Sequence, residues 1–374
     1  MIVLQIGAFL LGMSLVLVTV ASAIRTFVLP RSARDTISRT VFLAIRKIFN
    51  LITRRATTYE QRDQVMAYYV PVALLALEVY WLFQILLGYL CMFWALNSQD
   101  WNSAFTDSGS SLLTLGFAPL NGFFSIVLAF SEALLGLVMV ALLIAYLPTM
   151  YSAFSRRELA VTLLEVRAGS PPSAVEMLVR FHTLRRLELL NQVWVDWEVW
   201  FAELAESHTT FGALSFFRSP EPNHSWITAA GAVLDAASLF NAVVDIKRDP
   251  QADLCIRAGY ISLRRIADYF KLPFDPTPSP DDPISVTRGE FDEAVARLAE
   301  NNVPLKADLN QAWHDFAGWR VNYDVPLLRL AAITMAPEAP WSSDRSLRSL
   351  RPASRRWLRA KKVSQTTRAK SQSY

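Results

Sequence analysis

Apolar residues run almost unbroken in three places near the start of the chain. Ile2 to Ile24 carries no charge, Tyr68 to Leu96 only Glu78, and Phe123 to Leu147 only Glu132. At about 1.5 Å per helical residue, each run can cross a hydrocarbon core of about 30 Å, so the pattern predicts three transmembrane helices. After residue 155 the apolar positions fall three and four apart, which predicts a helical domain over 155–344. Its candidate helices are 156–168, 173–207, 226–247, 250–270, 287–301 and 305–334. Ser173-x-x-Glu176 and Thr287-x-x-Glu290 read as capping boxes, and five prolines between Leu272 and Val286 make that stretch a linker. Trp194, Trp197 and Trp200 predict an aromatic packing stripe on one helix. The fold class is an all-α membrane protein: three transmembrane helices, a re-entrant segment between the second and third, and a helical cytoplasmic domain.

Charge orients the three runs. Nine Lys and Arg lie between Arg25 and Asp63 against three acids, whereas residues 64–154 hold neither Lys nor Arg. Loops rich in positive charge stay cytoplasmic, which puts 25–63 and everything after Arg156 inside, and the N-terminus and the 97–122 loop outside. Ala21-Ser22-Ala23 resembles a signal-peptidase site. No basic segment precedes it, however, and the apolar run exceeds the roughly 7–15 residues of a signal peptide, so 1–24 reads as an uncleaved anchor. Within 25–63, Val41, Phe42, Ile45, Ile48, Phe49 and Ile52 recur at helical spacing among Arg39, Arg46, Lys47, Arg54 and Arg55. This is an amphipathic helix suited to the inner leaflet, with anionic lipid as its partner. The segment 345–374 has ten basic residues and no acid, and reads as a disordered tail drawn to the same lipids. These two segments account for a pI of about 9.1, because 155–344 holds 18 basic and 26 acidic residues and shows no nucleic-acid footprint. The expected location is a bacterial-type plasma membrane.

The 97–122 loop carries the candidate chemistry. Trp101 to Leu113 suits a half-helix dipping back into the membrane, with Trp94 and Trp101 at the outer interface. Non-helical backbone at membrane depth survives only where protein buries it or where it lines water, so Thr114 to Ala118 must do one of these. Backbone carbonyls there would replace the hydration shell of a cation, with Gly116 supplying the conformational freedom to aim them. The half-helix points the negative end of its dipole at the same place, and no basic residue nearby favours an anion.

Ser111-Leu112-Leu113-Thr114-Leu115-Gly116-Phe117-Ala118 resembles the T-x-x-T-x-G-[YF]-G signature of potassium channels, with Ser111 at the first Thr position. The order of elements over 64–154, about a quarter of the chain, is similar to the two-transmembrane pore module of that superfamily. The resemblance implies a homotetramer and a filter of Thr114, Leu115, Gly116, Phe117 and Ala118. It implies K+ bound at Thr114, Leu115, Gly116 and Phe117, with Ser110 and Ser111 supporting the filter from the pore helix. It implies no cofactor beyond the permeant ion, and gating by the inner helix together with the cytoplasmic domain. Gly136 stands near the position of an inner-helix hinge glycine, with close helix packing as its other reading. Ala118 and Pro119 depart from the signature. A left-handed Ala118 would cost about 1–2 kcal/mol, so the residue is either strained or turned out of the last coordination ring.

Two intramembrane carboxyls need partners. Glu132 reads as a cavity or gating residue reaching Ser108 or Ser110, or as a carboxyl satisfied locally; Glu78 reads evenly either way. Asp107-Ser108-Gly109-Ser110 resembles the D-[ST]-G-S loop of aspartic proteases, but no second such loop is present. Four scattered histidines show no metal-ligand spacing, Cys91 and Cys255 form no disulfide framework, and no enzymatic activity is expected. The alternative to a channel is a non-conducting receptor or scaffold whose cytoplasmic domain binds a partner.

Overall fold

In a computed structural model that describes residues 2–29, 35–97 and 100–345, the apolar runs form helices that the protein leaves largely uncovered. The chain is all-helical, and no strand occurs among the described residues. Two units divide it, Met1–Ala153 and Phe154–Tyr374. The basic tail from 346 onward lies outside the described residues.

The first unit contains α1 (Ile2–Phe27), α2 (Thr36–Ile52), α3 (Tyr59–Ala67), α4 (Tyr69–Asn97), α5 (Trp101–Leu112) and the start of α6 (Phe123–Ala168). Helix α1 lies so close to α4 that a Cβ added at Gly12 would sit 2.2 Å from the Gly88 carbonyl. Small residues at such a crossing let two backbones touch, which is how helices gain contact where lipid offers no hydrophobic drive. Polar groups fasten the same seam. Thr19 donates to Gln84 Oε1 at 3.0 Å, the Trp81 indole donates to Ser22 Oγ at 3.0 Å, and Ser22 donates to Asp35 at 2.7 Å. Asp35 also caps α2 by accepting the Ser38 N–H at 2.7 Å. Helix α2 is the amphipathic helix of the sequence analysis, begun one turn earlier by that cap. Helix α3, capped by Thr58, was not among the candidate elements.

Helix α6 is continuous for 46 residues, about 69 Å at 1.5 Å per residue and more than twice a hydrocarbon core. The candidate helix 156–168 is therefore the end of α6 rather than a separate element. Pro148 lies within it and removes the backbone donor that would meet the Ile144 carbonyl.

The second unit adds α7 (Ala174–Thr183), α8 (Leu190–Thr210), α9 (Trp226–Val243), α10 (Pro250–Tyr269), α11 (Arg288–Glu300), α12 (Leu309–Arg320) and α13 (Asp324–Thr334). Two candidate helices are each a pair. The 173–207 stretch breaks where Arg185 turns left-handed at φ 53°, and 305–334 breaks at residues 321–323 before Pro326 in the first turn of α13. Only the Thr287–Glu290 pair forms a complete capping box. Ser173 caps α7, but Glu176 turns instead to Arg180 at 2.8 Å and Arg297 at 2.7 Å. Trp194, Trp197 and Trp200 are buried in the core, with the Trp197 and Trp200 rings 4.4 Å apart.

Among the described residues four helices are long and apolar enough to cross a membrane, and their burial separates them. The most apolar window of α9 is 94% buried by protein, whereas those containing α1, α4 and α6 are 17%, 39% and 22% buried. Helix α9 spends its apolarity on a protein core, packed by α7, α10, α12 and α13. The other three keep large apolar faces open. Beneath α9, Arg320 is fully buried between Asp235 at 2.5 Å and Asp324 at 2.8 Å. A buried charge is tolerated only with such partners.

Candidate functional site in the 100–122 segment

Helix α5 starts at Asp100, whose carboxylate accepts the Ser103 N–H, and Trp101 stacks on Trp94 with ring centroids 5.0 Å apart. It ends in a left-handed turn. Leu113 N–H donates to Gly109 O, Thr114 N–H to Ser111 O at 3.0 Å, and Leu115 N–H to Ser110 O at 2.8 Å. The turn needs a positive φ, and Thr114 supplies it at φ 52°. A β-branched residue there is an outlier, because its Cβ crowds the following carbonyl.

Beyond the turn the backbone is divided by polarity. Ser110 gathers four consecutive N–H groups: Leu115 and Gly116 on its carbonyl at 2.8 and 3.4 Å, Phe117 and Ala118 on its hydroxyl at 3.1 and 3.2 Å. Among the described residues no donor meets the carbonyl oxygens of Thr114, Leu115, Gly116, Phe117 or Ala118. Residues 114–117 are exposed and Ala118 is half-buried, so these carbonyls are acceptors that the subunit itself does not use. Positive φ recurs at Gly116, at 69°, two residues after Thr114.

Ala118 keeps a negative φ, so of the two outcomes open to it the unstrained one is present. Ser110 holds the segment. Ser111 meets it only through its backbone carbonyl, which accepts the Thr114 N–H, and its hydroxyl donates to the Asp107 carbonyl one turn back in α5. Gly136 packs against the end of α5, where an added Cβ would lie 2.6 Å from the Leu112 carbonyl. Glu132 is fully buried and reaches Ser108 at 2.6 Å, and Ser108 also lies 3.1 Å from the Leu86 carbonyl of α4. Glu78 is buried with both carboxyl oxygens unpartnered. The Asp107-Ser108-Gly109-Ser110 motif is one turn of helix α5, not a loop between strands. No group of three or more His, Cys, Asp or Glu suited to a metal ion occurs among the described residues. The contact of Ser108 with α4 and the left-handed Thr114 carry no distinct sequence signal beyond the cluster of serines at the end of α5. No protein-family profile, no characterised protein and no solved structure matches the chain.

Proposed function

We propose that the chain is one subunit of a homotetrameric cation channel, with K+ the favoured ion, whose filter is Thr114 to Ala118. The observation that carries this reading is the division of the 114–118 backbone. Its N–H groups turn back onto α5, to the carbonyl and hydroxyl of Ser110 and the carbonyl of Ser111, and its carbonyls from Thr114 to Phe117 are left as hard oxygen ligands for a cation. One such strand offers an ion a single side, and symmetric copies around an axis close the ring. The segment 64–154 contains no Lys or Arg that would repel a cation.

In this reading α1, α4 and the first half of α6 span a bacterial-type plasma membrane, with the N-terminus outside and the second unit in the cytoplasm. Helix α2 lies along the inner leaflet, supported by exposed Leu43, Ile48, Leu51 and Ile52 on a helix that also carries Arg39, Arg46 and Lys47. Reconstitution into liposomes with opposed K+ and Na+ gradients tests the function directly. Cation flux with a reversal potential on the K+ side is expected, from a particle that native mass spectrometry weighs as a tetramer. Absence of flux, or a particle no larger than a dimer, overturns the proposal.

A further inference from the structure

Ser108 sits where three helices meet. Its hydroxyl lies 3.1 Å from the Leu86 carbonyl of α4 and 2.6 Å from Glu132 Oε1 of α6, and both Ser108 and Glu132 are fully buried. A hydroxyl owns one hydrogen, so Ser108 does not donate fully to both oxygens. Both contacts close when the carboxyl carries a proton: the Glu132 O–H donates to Ser108 Oγ, and the Ser108 O–H donates to Leu86. The second carboxyl oxygen, Oε2, is buried and meets no donor. As part of a carboxylate it would be an uncompensated charge in a low-dielectric interior. No Lys or Arg from 64 to 154 supplies a counter-charge, and on α4 the Tyr89 hydroxyl is engaged by Ser131 at 2.8 Å.

We propose that Glu132 is a positioning residue that works as a neutral hydrogen-bond donor, bracing α5 against α4 and α6, and not as a fixed negative charge beside the ion path. Its consequence for ions rests on the channel reading above, whereas the brace itself does not. Ser108 precedes Ser110 by two residues on α5, and Ser110 holds the four N–H groups of the filter segment. A shift of α5 therefore carries the filter with it.

Infrared difference spectra of the full chain in liposomes at neutral pH test the protonation. The wild type should show a carboxylic-acid C=O stretch that Glu132→Gln removes and Ser108→Ala shifts, with Glu78→Gln recorded separately to subtract the other buried carboxyl. Glu132→Gln keeps an N–H for Ser108 and should retain most of the flux and melting temperature. Glu132→Ala should lose about tenfold in flux, the scale of one buried hydrogen bond. Glu132→Ala combined with Ser108→Ala should cost less than the two singles added, as expected for residues in one contact. Loss of a carboxylate band in Glu132→Gln, or a Glu132→Gln as damaged as Glu132→Ala, overturns the proposal. Should the wild type pass no cations, the channel reading fails, while the infrared band and the melting temperatures still judge the brace.

Discussion

Ser110 Oγ accepts the backbone N–H of Phe117 at 3.1 Å, tying the exposed segment after α5 back to the last turn of that helix. The same oxygen takes the Ala118 N–H at 3.2 Å. Ser110→Ala leaves both donors without this acceptor, at a cost of about 0.5–1.5 kcal/mol for each bond. The expected result is reduced flux and weaker K+ over Na+ discrimination from an intact tetramer, with Ser110→Thr largely restoring both. Liposome flux and reversal potentials read the outcome, and wild-type behaviour in Ser110→Ala would show that the hydroxyl does not hold the segment.

Gly116 and Ala118 make a paired test. A Cβ at Gly116 meets nothing within 4 Å, so Gly116→Ala is opposed only by its φ of 69°, worth about 1–2 kcal/mol. In the channel reading that cost should lower the current about five- to thirtyfold while the tetramer persists on native gels. In the same reading Ala118→Gly frees a residue that now keeps a negative φ, and should raise K+ selectivity. Normal conduction by Gly116→Ala would place the ion path elsewhere.

Glu78 has two buried oxygens and no hydrogen-bond partner for either. A buried polar group without a partner carries an unrecovered desolvation cost, so Glu78→Leu should raise the melting temperature of the solubilised protein. A lower melting temperature would mean that the carboxyl has a partner in the assembled particle.

His208 is fully buried, and burial together with the neighbouring Arg157 guanidinium 3.3 Å away holds it well below the ordinary histidine value of 6.5. The folded state therefore binds fewer protons than the unfolded state below that value, and stability falls as pH falls. The loss from this one group sets in as pH falls through 6.5 and grows below it. Denaturant titrations of the protein across that range should show the slope, and His208→Gln should flatten it. An unchanged slope in His208→Gln assigns the acid sensitivity to other groups.

Long apolar helices and caps are legible in the chain because they are local. A run such as Ile2 to Ile24 answers to length and absence of charge alone, and the Thr287–Glu290 box closes within one turn. The same local rules misjudged the break at Arg185, where neither Gly nor Pro marks the turn, and the continuity of α6 through Pro148.

Sequence by itself determined the helical class, the three apolar runs, the placement of positive charge and the candidate segment Thr114 to Ala118. Tertiary structure alone decided that α9 is a core helix, that Thr114 and not Ala118 takes the left-handed turn, and that Glu132 meets Ser108 rather than Ser110. Hydropathy and capping depend on residues within a few positions of each other. Burial and hydrogen-bond partners depend on which helices come to lie side by side: Glu132 and Ser108 are 24 residues apart in the chain and 2.6 Å apart in the fold.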